Sequence, residues 1–141
     1  GNSITYSGVI ENLNILDYDY YFRIIDATQQ EDIPKSLLLL NDVMTKGFDG
    51  HSFLVGLADH FRNLLVCKDA RTSSLLEVSD DVEKKFVEQS KAIDANQIIR
   101  ALGVLSQADV NYKQSKNQRL LVEMALMQLC SIKQELEKKK A

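Results

Sequence analysis

Apolar residues recur every three or four positions along most of this chain, which is the spacing of helices that bury one face. No stretch shows the sustained alternation of apolar and polar residues that predicts a half-buried strand. A single proline and six glycines leave long segments without a helix breaker. The sequence therefore predicts an all-α protein, a compact bundle of about six or seven helices that forms one domain over residues 1–141.

Residues with short polar side chains mark where these helices begin, because such side chains accept hydrogen bonds from the unpaired amides of a first helical turn. The first helix is predicted from Thr5 to about Leu13, and the last follows a turn over residues 115–117. The segment 68–74 is predicted as a polar connection. The predicted caps of the helices in between are Asp17, Asp32, Asp49, Ser79 and Asp94.

The last helix is apolar on two separate sides. At 100° per residue its wider apolar arc contains Leu121, Val122, Ala125, Leu126, Leu129, Ile132 and Leu136. A second, narrower arc consists of Leu120, Met124 and Met127. One domain core uses one face, so the second arc requires another layer or another protein. We assign the wider arc to the core and predict that Leu120, Met124 and Met127 form a subunit interface.

A structural ion pair is predicted at this helix, with Glu123 as the anion and Arg119 or Arg62 as the cation. Arg119 and Glu123 are four positions apart in the less favourable order, so their pairing alone contributes only about a few tenths of a kcal/mol. Glu123 has apolar neighbours, and if it is buried it needs a cation, either Arg119 or Arg62 of the fourth predicted helix. A structural role is favoured over a role in the interface.

Charge and cysteine usage exclude several classes of partner. Seventeen basic and twenty acidic residues give a net charge of −3 that is dispersed along the chain, which argues against tight nucleic-acid binding. Cys67 and Cys130 lie within helical apolar patterns, as in reduced cytoplasmic proteins. No apolar run approaches the roughly 20 residues of a membrane span, and no leader pattern is present. The start at Gly1-Asn2-Ser3 indicates a domain excised from a longer cytoplasmic protein.

No catalytic or cofactor motif is found in the sequence. It contains neither a phosphate-binding loop nor a zinc motif of the H-E-x-x-H or C-x-x-C type, so we predict no catalysis, cofactor or metal site. Asp59, His60 and Cys67 are the best candidates for a nucleophile and base. His60 and Cys67 are two helical turns apart, too far for a hydrogen bond. We interpret them as a histidine at the core boundary and a small core cysteine.

Three segments resemble the third domain of the bacterial DNA polymerase III gamma/tau subunit. They are Ile4-Thr5-Tyr6 with Val9, the segment 49–65 with its His60-Phe61-Arg62-Asn63-Leu64-Leu65, and Asn117-Gln118-Arg119-Leu120 with Glu123. The last is similar to the family's N-P-R-L-x-x-E ending. Gln118 and Gly50 stand where the family often has proline. The resemblance covers nearly the whole chain, and its motifs are helix caps and core positions.

This resemblance implies a clamp-loader collar domain, which joins gamma/tau copies to each other and to the delta and delta-prime subunits in a five-membered ring. ATP and Mg would be bound by an N-terminal ATPase module that this chain lacks, and ATP would drive sliding-clamp loading in DNA replication. An alternative is a free-standing helical adaptor that binds a peptide or partner helix in a groove, although no repeat of adaptor type is present. A third reading, a small helical hydrolase, is disfavoured because the sequence offers no nucleophile with a base beside it.

Overall fold

The computed structural model describes residues 18–140, and this part of the chain is a bundle of helices without a strand. Its helices are α1 (Tyr18–Gln29), α2 (Ile33–Thr45), α3 (Gly50–Val66), α4 (Ala70–Ser73), α5 (Asp80–Ala92), α6 (Ala95–Tyr112) and α7 (Gln118–Lys140). The predicted all-α bundle is confirmed. The helix predicted from Thr5 to Leu13 and the cap at Asp17 lie outside the described residues.

Most of the predicted caps form. Side-chain oxygens of Asp32, Asp49 and Ser79 accept hydrogen bonds from backbone amides three residues further on, at 3.1, 2.7 and 3.4 Å. Asn117 does the same at the start of α7, at 3.0 Å. Asp94 occupies the cap position of α6 but makes no capping bond through its side chain, so that part of the prediction is wrong.

The segment predicted as a plain polar connection contains one turn of helix, α4. Asp69 caps it, because its carboxylate accepts the backbone N–H of Arg71 at 2.8 Å and also binds the Arg71 guanidinium. Lys68 ties the same connection to α5 by donating from Nζ to the carbonyl of Ser90 at 2.6 Å. A four-residue helix is too short to show an apolar period, which is why the sequence pattern missed it.

Helix α3 lies at the centre of the bundle and packs against α1, α5, α6 and α7. Helix α7 in turn packs against α1, α2 and α6. The largest fully buried side chains are Phe53, Phe61, Phe86, Ile24, Ile25, Leu40, Leu54, Leu57, Leu64, Ile93, Ile98 and Leu105. The wider arc of α7 belongs to this core through Val122, Ala125, Leu126, Leu129 and Ile132. Leu136 packs against this core, whereas Leu121 is half-buried and lies outside the cluster, so the assignment of the arc to the core is confirmed for every residue except Leu121.

None of the helices within residues 18–140 combines the length and the apolar character needed to cross a membrane.

Candidate subunit interface

The second apolar side of α7 is uncovered. Leu120 is 44% exposed and Met124 46% exposed, and Met127 is half-buried beside them. These three side chains follow each other at intervals of four and three residues, so they form one continuous line along the helix. We call this line the outer ridge of α7. The core already occupies the wider arc of the helix, so within the described residues the ridge has no apolar layer over it.

Hydrogen bonds to two neighbouring helices fix the position of the ridge. Gln118 donates from Nε2 to the carbonyl of Tyr112 in α6 at 3.1 Å. Arg119 donates from Nη2 to Oδ1 of Asn41 in α2 at 3.0 Å. Together with the Asn117 cap, these bonds attach the first turn of α7 to the bundle. The ridge is therefore presented by a rigid element, as a recognition surface requires.

The predicted ion pair forms between Arg119 and Glu123 only. Arg119 Nε lies 3.6 Å from Glu123 Oε2, and both side chains keep contact with solvent, so the pair adds little stability. Arg62 does not reach Glu123. Its guanidinium donates to Oδ1 of Asn63 at 3.1 Å, and it makes no ion pair within residues 18–140. Arg62 is thus a cation without an anionic partner in the described part of the chain.

Leu38 in α2 is a further exposed apolar residue, and 68% of its surface is accessible to solvent. It lies one turn before Asn41, the residue that binds Arg119. The run of four leucines from Leu37 to Leu40 is the only trace of this exposed residue in the sequence pattern. Four consecutive helical residues span most of a turn and cannot all face one core, and here Leu39 and Leu40 are buried while Leu38 is not.

A cleft of about 810 Å³ lies between α1 and α3. Its apolar lining includes four aromatic residues, Tyr18, Tyr21, Phe48 and Phe53, together with Val55. Asp59 and Arg62 line it as well. Burial, and secondly the nearby Asp59 carboxylate, raises the pKa of Tyr21 above its ordinary value, so its hydroxyl stays protonated. We call this feature the α1–α3 cleft.

Gly56 allows Tyr21 to lie against the backbone of α3 in this cleft. A Cβ atom at Gly56 would overlap the Tyr21 hydroxyl oxygen. We therefore expect Gly56→Ala to displace the Tyr21 ring and to lower the free energy of unfolding by about 1–3 kcal/mol, as overpacking does. Urea unfolding followed by circular dichroism measures this effect.

Gly103→Ala in α6 is the matched control for Gly56→Ala. A Cβ there has no heavy atom within 4 Å, so the alanine should stabilise the helix by about 0.5–1 kcal/mol. Equal and favourable effects of the two alanines would contradict the close contact of Tyr21 with Gly56.

His60 lies inside the core, and its predicted place at the core boundary is wrong. It is only 2% exposed, with the rings of Phe22 and Phe86 each centred 4.5 Å from its own. Its Nε2 lies 2.8 Å from Oε1 of Gln89. The Gln89 amide nitrogen donates to the carbonyl of Phe22 and to Asp26, at 3.0 and 2.9 Å. The Gln89 oxygen must therefore accept, which places the proton on His60 Nε2.

The other ring nitrogen of His60 is unprotonated in this arrangement. His60 Nδ1 is buried and has no hydrogen-bond partner among the described residues. Burial lowers the pKa of His60 to about 4, against the weaker opposite effect of its hydrogen bond to Gln89. The imidazole is thus neutral near pH 7, and its surroundings are those of a core residue.

The candidate nucleophile and base are not brought together. Burial, and secondly the Glu83 carboxylate, raises the pKa of the Cys67 thiol, which opposes formation of a thiolate. His60 is bonded to Gln89 and not to Cys67. Across the helices described, no group of three or more His, Cys, Asp or Glu side chains is placed to hold a metal ion.

The bundle of helices agrees with the family that the sequence motifs indicated. The family model described as DNA polymerase III subunits gamma and tau domain III matches residues 6–141. The chain belongs to this family. The match to gamma/tau domain III includes all of α1 to α7, so the ridge and the α1–α3 cleft both lie within the family domain. No curated protein matches the chain.

Proposed function

We propose that this gamma/tau domain III is a non-catalytic oligomerisation domain, the collar that joins clamp-loader subunits into a five-membered ring for sliding-clamp loading. The outer ridge of α7 carries the proposal. Leu120, Met124 and Met127 are uncovered on a helix whose opposite side is part of the core, and hydrogen bonds to α2 and α6 hold that helix in place. An interface core needs such a rigid, apolar surface.

The proposed partners are other gamma/tau copies and the delta and delta-prime subunits, in the cytoplasm. ATP and Mg would be bound by the N-terminal ATPase module of the parent protein, outside this chain. The dispersed charge, with a net value of −3, argues against tight binding of DNA. The domain thus acts by holding subunits together while the chemistry takes place elsewhere.

Met124→Glu tests the ridge. We expect it to weaken association at least tenfold, about 1.4 kcal/mol, because an unpaired carboxylate would be excluded from water in the interface. The monomer should keep its melting temperature, since Met124 is exposed in the free domain. Sedimentation of the domain, alone and mixed with delta and delta-prime, measures association, and circular dichroism measures melting.

Ile99→Glu is the matched control, because Ile99 is an exposed aliphatic residue on the neighbouring helix α6. This variant should associate like the original domain. A domain that stays monomeric in every mixture would overturn the proposed oligomerisation and favour the adaptor alternative. If Met124→Glu associates normally or melts early, the ridge is not the interface.

A further inference from the structure

We infer that the α1–α3 cleft receives the outer ridge of α7 from a second copy of this chain. The inference rests on the proposed oligomerisation and specifies which two surfaces meet. The ridge and the cleft share no residue and lie on different helices. A contact between two different surfaces is head-to-tail, so each copy keeps a free ridge at one end and a free cleft at the other.

The apolar groups of the two surfaces complement each other in shape and chemistry. The ridge is a line of three flexible or branched side chains on a helix, the form that fits a groove between two other helices. The cleft has a volume of about 810 Å³, within the range of pockets that enclose a ligand. Tyr18 and Val55 are 40% and 43% exposed at its surface. Methionine sulfur packs favourably against aromatic rings such as those that line the cleft.

Charges beside the two surfaces are also complementary. Asp59 and Arg62 line the cleft about one turn apart, and neither makes an ion pair within residues 18–140. Arg119 and Glu123 flank the ridge, also one turn apart. In a second copy whose α7 runs parallel to this α3, Arg119 would lie beside Asp59 and Glu123 beside Arg62, in exchange for the weak, solvent-exposed pair that Arg119 and Glu123 make with each other. Asp49 and His51 also line the cleft, and both already have partners within the chain, since Asp49 caps α3 and His51 Nε2 lies 2.7 Å from Asp109.

His60 Nδ1 adds a polar feature to the same cleft. His60 lines the cleft, and this nitrogen is a buried acceptor without a partner among the described residues.

Blocking each surface separately gives the decisive test. Val55→Glu blocks the cleft and Met124→Glu blocks the ridge, so each variant alone should be monomeric by sedimentation. An equimolar mixture should form a one-to-one dimer, because one variant keeps an intact ridge and the other an intact cleft. Ile99→Glu, outside both surfaces, should associate as the original domain does. Circular dichroism melting of each variant establishes that it is folded.

A charge exchange tests the proposed orientation. Arg62→Glu and Glu123→Arg should each weaken association about fivefold or more, and the double variant should return to within about twofold of the original domain. Restoration is expected only if the two positions meet across the interface, since Arg62 and Glu123 do not meet within one chain. This measurement also decides the question if Val55→Glu fails to fold.

The outcomes separate this inference from the proposed function. If the original domain does not associate alone or with other clamp-loader subunits, the proposed function fails and the inference with it. If it associates and folded Val55→Glu associates equally well, only the inference is overturned. The same holds if the mixture of blocked variants stays monomeric, or if the charge exchange restores nothing. In those cases another occupant, such as a peptide, fills the cleft.

Discussion

Leu129→Glu is expected to unfold the domain. Leu129 lies in the middle of the wider arc of α7 and is 3% exposed, within the core cluster that α7 shares with the other helices. A carboxylate there is removed from water and placed among apolar side chains, which costs about 4 kcal/mol or more. Domains of this size have a stability of only about 5–15 kcal/mol.

Circular dichroism should show loss of the cooperative melting transition of Leu129→Glu, or a fall of about 15 °C or more. Gln128→Glu is its matched control, because Gln128 is the exposed neighbour on the same helix. The control introduces the same charge and should melt like the original domain. A Leu129→Glu protein with unchanged melting would show that the wider arc does not face the core.

The stability of the domain should fall as the pH decreases from about 6.5 to about 4. The folded pKa of His60 is about 4, and that of an unfolded histidine is about 6.5. Between these values the unfolded chain binds a proton that the folded chain does not, so lowering the pH favours unfolding. The difference between the two pKa values corresponds to about 3 kcal/mol in the free energy of unfolding. This contribution is fully present above about pH 6.5 and is lost by about pH 4.

His60→Gln isolates this contribution, because glutamine does not titrate and can still donate to Gln89. Carboxylates titrate in the same range in both proteins, so the quantity to compare is the difference between their free energies of unfolding. We expect the advantage of the original domain over the variant to shrink towards pH 4. An equal difference at pH 7 and pH 4 would show that His60 is not held neutral in the core.

The sequence predicted most of the helices because capping and apolar spacing are local properties. Asp32, Asp49 and Ser79 were recognisable as caps, and they bind amides only three residues away. The two-sided character of α7 was visible for the same reason, since the angle between Met124 and Leu129 depends only on the helical period. Most of its wider arc is indeed buried, whereas Leu120 and Met124 of the narrower arc are exposed and Met127 is half-buried.

Features that depend on distant segments could not be predicted in this way. The burial of His60 requires a partner for Nε2, and Gln89 supplies it from a position 29 residues further on. The α1–α3 cleft likewise depends on how closely Tyr21 approaches α3. Gly56 was the only local signal, a residue without a side chain in the middle of an apolar helix. A sequence pattern indicates that such a glycine permits a close approach but does not say which residue approaches.

Helix α7 combines a core face, a first turn bonded to two neighbouring helices, and the outer ridge. If the ridge is an interface, both apolar sides of this helix are constrained, and the positions free to vary lie on its polar surface. Those that remain are exposed polar sites such as Gln128, Lys133 and Gln134. Variation elsewhere in α7 is then limited by two separate requirements, one imposed by folding and the other by the neighbouring subunit. Outside those polar sites, helix α7 should therefore tolerate few substitutions, although its own i, i+4 ion pair is weak.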